Sequence, residues 1–110
     1  MKWMTAAEHF SQGCTHAEQG ELTEAFDHLE RSVRLEPDNA VACKLLARLS
    51  LSVDEVRAFV CWCHEAARID PRDPEPHLMM AEVFERTNRL REAAEARYRA
   101  TSLTQPSEAR

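Results

Sequence analysis

Apolar residues along this chain recur with the spacing of a helix, and no stretch shows the strict alternation of a half-buried strand. In one stretch, Phe59, Cys63 and Ala66 fall on a single helical face. The pattern predicts six helices, each bounded by a turn signal. Helix one covers Ala6 to Glu18, opened by Thr5 with Glu8 at capping-box spacing and stopped by Gly20. Helix two covers Leu22 to Leu35 and ends ahead of Pro37, which disfavours helical geometry in the residue before it. Helices three and four cover Asn39 to Leu51 and Asp54 to Ile69, and helices five and six cover Pro74 to Arg86 and Arg89 to Thr104. An all-α fold follows.

A longer period lies over this one. The phrase Leu35-Glu36-Pro37-Asp38-Asn39 returns 34 residues later as Ile69-Asp70-Pro71-Arg72-Asp73, with a weaker echo at Leu103-Thr104-Gln105-Pro106. Gly20, Asp54 and Asn88 share that interval at the turn inside each unit, and Gly and Asn best tolerate a positive φ there. Such self-similarity marks a helical array, in which one helix pair cannot bury its apolar face alone and stacks on its neighbour. The 110 residues hold about three units, at 6–39, 40–73 and 74–107, within a single domain over 1–110.

Charge and composition narrow the function. The net charge is −5, with Lys and Arg dispersed among Glu and Asp, which argues against a nucleic-acid partner. No apolar run approaches the length of a membrane span, and the first residues lack the apolar stretch of a signal peptide, so a cytoplasmic protein is expected. Four cysteines are then expected as reduced thiols. Cys61-Trp62-Cys63-His64 suggests a metal cluster, but residues one and two apart on a helix do not converge on one ion. His9 and His16, seven apart on one helical face and near Cys14, read as packed or solvated side chains rather than a site. There is no nucleophile motif and no Gly-rich phosphate loop, so no enzyme activity, cofactor or metal is expected.

Laid under one another, the units resemble tetratricopeptide (TPR) repeats from Ala6 to Pro106, most closely at Ala17-Glu18-Gln19-Gly20-Glu21-Leu22-Thr23-Glu24-Ala25-Phe26. Where helices of that family cross closely and small residues are usual, the chain has Gly13, Ala47 and Ala81, then Ala25, Phe59 and Ala93, then Ser32, Ala66 and Ala100. Departures are informative. Phe59 is bulky for its place, and either pushes its helices apart or fills space left by Ala47 and Ser50. Helix one is polar at His9, Gln12 and His16, so Trp3, Met4 or a second chain is expected to pack on it. Arg97 replaces a large apolar residue and, with Arg91, Glu92, Glu95 and Arg99, reads as a polar cap ending the array.

The resemblance implies a right-handed superhelix whose concave groove, lined by the first helix of each unit, binds a peptide or helix of another protein. The groove residues implied are Phe10, Cys14, Val41, Lys44, Arg48, Leu51, Leu78, Glu82 and Glu85, grading from apolar to basic to acidic. Lys44 and Arg48, four apart on one helix face, either hold an acidic group of the partner or pair with Glu82 and Glu85. Family members that clamp the C-terminal carboxylate of heat-shock chaperones use Lys, Asn and Arg across three repeats, and only Lys44 and Arg48 match here. The resemblance favours an adaptor or chaperone, specialised for secretion-system subunits. The competing reading is a homo-oligomerisation unit, with Val60 and Trp62 as an exposed convex contact.

Overall fold

Six helices, α1 (Ala6–Glu18), α2 (Leu22–Leu35), α3 (Ala40–Ser52), α4 (Val56–Ile69), α5 (Glu75–Arg86) and α6 (Leu90–Thr104), follow one another in a computed structural model that describes residues 3–104. Gln105 and Pro106 of the third echo, and the predicted end of the third unit at 107, lie outside the described residues. No strand occurs among those described, and none of their helices is long and apolar enough to cross a membrane.

Local chemistry accounts for the helix ends. At α1 the Thr5 hydroxyl accepts the Glu8 N–H at 3.1 Å while the Glu8 carboxylate accepts the Thr5 N–H at 2.8 Å, a complete capping box. Asn39 caps α3 by accepting the Ala42 N–H at 3.1 Å, so the helix starts at Ala40, one residue later than the sequence predicts. Gly20, Asp54 and Asn88 adopt φ of 77°, 61° and 62°. Each is followed by an N–H that reaches back five residues: Glu21 to the His16 carbonyl, Glu55 to the Ser50 carbonyl and Arg89 to the Phe84 carbonyl, at 2.8, 2.8 and 2.7 Å. These are three copies of one Schellman stop, spaced by the repeat. The left-handed residue cannot belong to a helix, so α4 and α6 begin at Val56 and Leu90, later than predicted.

The helices pack as three antiparallel pairs, α1 with α2, α3 with α4 and α5 with α6, stacked through α2 on α3 and α4 on α5. The array is elongated, 58 × 34 × 19 Å. Two apolar clusters hold it together. One is centred on Ala25, Leu29, Leu46 and Leu49; the other surrounds Phe59 with Ala47, Cys63, Met80, Ala81, Phe84, Ala93 and Ala96. Phe59 has no solvent exposure, so its ring fills the space beside Ala47. Trp62 packs against both clusters and joins them. The buried Ser32 and Ser50 hydroxyls donate to the Ala6 and Leu46 carbonyls, each at 2.8 Å, so neither is left unsatisfied.

Both ends of the array differ from expectation. Trp3 is 84% exposed and does not cover helix one; the polar side chains of α1 instead meet His28 of α2. At the other end Arg97 folds back to Glu85 at 2.9 Å, as a polar cap would, yet Leu90 and Tyr98 stand exposed on the same helix.

A Cβ at Gly13 would lie 2.6 Å from Cγ and 2.9 Å from Cδ2 of the buried Leu29. Gly13→Ala is therefore expected to lower stability by about 1–3 kcal/mol, measured as a shift in the urea midpoint at unchanged m value.

Candidate functional site

The first helices present three stripes of side chains at spacings of three, four and three: Ala7, Phe10, Cys14 and Ala17 on α1; Val41, Lys44, Arg48 and Leu51 on α3; Glu75, Leu78, Glu82 and Glu85 on α5. Residues so spaced share one helical face. The stripes of α3 and α5 meet through charge. Lys44 Nζ donates to Asp73 Oδ2 and to Glu75 Oε1, both at 2.8 Å, and Arg48 Nη2 donates to Glu75 Oε2. Asp73 Oδ1 also accepts the Glu75 N–H at 3.0 Å, so the same carboxylate fixes the start of α5. Lys44 is largely covered, and hydrogen bonds to Asp73 and then Glu75 raise its pKa above the usual lysine value. Burial alone would raise the Asp73 carboxyl, but the Lys44 hydrogen bond, the Glu75 N–H and the charge of Lys44 outweigh it and hold the group below its usual range.

The ion pairs differ from the predicted ones. Lys44 and Arg48 reach the first turn of α5 and the residue before it, whereas Glu82 and Glu85 lie two or more turns further along. Glu85 instead accepts both Nε and Nη2 of Arg97, at 3.2 and 2.9 Å. Glu82 is exposed and joins no ion pair among the described residues. The basic middle of the predicted gradient is thus neutralised from within.

The apolar positions divide in two. Val41 is 58% and Leu78 40% exposed, at the N-terminal ends of α3 and α5. Phe10 and Leu51 are half-buried against the two core clusters and present only an edge. Cys14 is half-buried; burial, with a smaller effect of Glu18, pushes its thiol up.

The second predicted surface is corrected. Val60 and Trp62 are half-buried and pack on the core, Trp62 against both clusters, so neither is the exposed anchor an oligomer contact would need. A Trp next to two interior faces buries most of its ring between stacked pairs. Cys63 is buried while Cys61 and His64 are exposed, so these side chains diverge. Among the described residues no group of three or more His, Cys, Asp or Glu is placed to hold a metal ion.

Two participants escape sequence reasoning. Asp73 looks like part of the proline turn, and only the reach of Lys44 across helices reveals its role. His28 sits on α2 between His9 and His16 of α1; its signal is its place on the face that α2 turns to α1, which no spacing within one helix discloses.

Compared with known proteins, the chain matches no family model and no curated sequence. Solved structures do resemble it. The structure titled MamA superposes with a TM-score of 0.86 at 19% identity, covering 90% of this chain and 58% of that one. The CopN–Scc3 complex gives 0.85 at 16% identity, covering 94% and 61%. The first TPR of Spaghetti (RPAP3), bound to the HSP90 peptide SRMEEVD, gives 0.80 at 18% identity, covering 91% and 79%. The chain has the TPR fold. It spans about three fifths of the first two of these chains.

Lys44→Met leaves the partly covered Asp73 without its cation and is expected to destabilise the fold by about 1–3 kcal/mol, while Arg48→Ala, more exposed, is expected to cost under about 1 kcal/mol; thermal unfolding checks both. Thiol chemistry provides a separate check. Burial pushes Cys43 up to about 11 and Cys63 up to about 12. A thiol reagent at neutral pH is expected to modify the exposed Cys61 first and to reach Cys43 and Cys63 only on unfolding, read as the time course of adduct masses.

Proposed function

We propose that this chain is a non-enzymatic protein-interaction module that receives apolar side chains of a partner polypeptide on the face of its first helices. The observation that carries this reading is the pair Val41 and Leu78, two large aliphatic groups left exposed at neighbouring helix ends of a face whose cations are already paired. Exposed aliphatic groups flanked by satisfied charges suit anchors from an amphipathic helix or an extended segment. Glu82, one turn after Leu78 and free of ion pairs among the described residues, favours a basic side chain following the apolar anchor.

Two of the similar structures are titled as complexes, one of CopN with Scc3 and one with an HSP90 peptide, which supports a binding role in general terms. The partner here is read from this chain's own side chains. Capture of a carboxylate is disfavoured, because Lys44 and Arg48 would first have to release Asp73 and Glu75. An adaptor or chaperone for a protein subunit with an apolar, basic segment is the specialisation that fits, acting in the cytoplasm.

Exposed positions are suited to a clean test. Val41→Asp with Leu78→Asp is expected to weaken partner capture about tenfold or more while leaving the melting temperature unchanged, since one buried aliphatic side chain is worth about 1.5–3 kcal/mol. Pull-down of the wild type, this variant and Lys44→Gln/Arg48→Gln, with bound proteins identified by mass spectrometry, reads the outcome. A partner held equally by all three would place the binding surface elsewhere.

A further inference from the structure

Inside the first helix pair stands a column of imidazoles. His9 on α1 is buried, and its Nδ1 lies 3.0 Å from Nδ1 of His28 on α2. The ring centroids are 5.2 Å apart, so the two nitrogens sit between the rings and face each other nearly head on. That is the geometry of a single N–H···N hydrogen bond, with one Nδ1 carrying a proton and the other accepting it. Two ligands of one metal ion would instead both aim at a third point about 2 Å from each nitrogen. Further along α1, His16 stacks on His28 with planes 5° apart and centroids at 5.4 Å, and donates its own Nδ1–H to Glu21 Oε1 at 2.6 Å.

We propose that the His9–His28 contact is an acid-sensitive latch on the first helix pair, closed while one of the two Nδ1 atoms is free to accept and opened when both carry protons. Double protonation replaces a donor and an acceptor with two facing donors and two like charges in a covered position. The surroundings do little to relieve this. Asp27 on α2 is the one carboxylate bearing on His28, and it is already engaged by Arg31 Nε at 3.2 Å. Arg31 and Arg34 share a cleft with His9, Met4 and Leu35, and His16 is the third imidazole of the stack, with Glu21 bound to it. Burial, then His9, and to a smaller degree His16 and Arg31, hold His28 below the usual histidine value against the pull of Asp27.

The sign follows from that direction. The unfolded chain takes up the His28 proton near the ordinary value of about 6.5, and the folded pair only at lower pH. The unfolded state therefore binds more protons below that pH, so the stability of the pair is complete above it and is lost as pH falls through the folded value. Because α1 packs chiefly on α2 and ends the array, its release leaves the other two pairs standing.

Hydrogen exchange at pH 7.5 and 5.5, corrected for intrinsic rates, tests the latch. Protection in α1 and α2 is expected to fall relative to α3 and α4, by about tenfold for each pH unit separating the unfolded and folded values of His28. His28→Gln, which keeps a hydrogen-bonding group but cannot charge, is expected to abolish the response; His9→Gln is the second variant should the first fail to fold. His77→Gln at the other end of the array is expected to keep it, because the lowered titration of His77, set first by burial and then by Arg99 and His64, belongs to α5. Unchanged protection of α1 and α2 between the two pH values, or a response that survives in both glutamine variants at positions 9 and 28, overturns the proposal.

Discussion

The two helices of each pair approach closely enough that a side chain from one must enter the space left by a small residue on the other. Gly13 accepts Leu29 at a distance that excludes even a methyl group, and Ala47 and Ala81 stand at the matching places of the later pairs. Close approach lets dispersion and burial act over the full length of the pair. The rest of the array depends on it: the Schellman stops only set where each pair turns, and the stacked pairs share clusters that each pair has first assembled. Phe59 shows how the constraint bends, since a large ring is admitted where Ala47 leaves room, and it becomes the centre of the second cluster.

Charge plays a different part. Lys44, Arg48, Asp73 and Glu75 tie α3 to the start of α5, where the interface between pairs has little apolar surface of its own. A partly covered lysine between two carboxylates contributes more to the angle between successive pairs than to net stability. Its consequence for function is indirect. With the cations satisfied internally, the face of the first helices offers its aliphatic groups and one open carboxylate rather than a basic patch.

The first pair is the exception within the array. Where the other pairs meet through apolar rings and methyl groups, α1 and α2 meet partly through imidazoles, with Ser32 and Ala6 adding a hydrogen bond. A pair built this way is satisfied but conditional, because its hydrogen bonds require a particular protonation state. Its position at the end of the array makes that condition local.

The sequence by itself determined the helices, the turn at Gly20, Asp54 and Asn88, the small residues at the crossings and hence the fold, because all of these depend on interactions within a few residues or on a strict 34-residue period. Helix starts were legible to within one or two residues, the error arising where a cap or a left-handed residue claims the first position. Burial along α4 was legible for Phe59, Cys63 and Ala66 but not for Val60 and Trp62, which the period places off the core and the neighbouring pairs then cover. Only the tertiary structure decided which carboxylates take Lys44 and Arg48, that Trp62 joins two clusters, and that His28 meets His9. Each depends on the offset between helices distant in sequence, and that offset is set by the packing of the whole array.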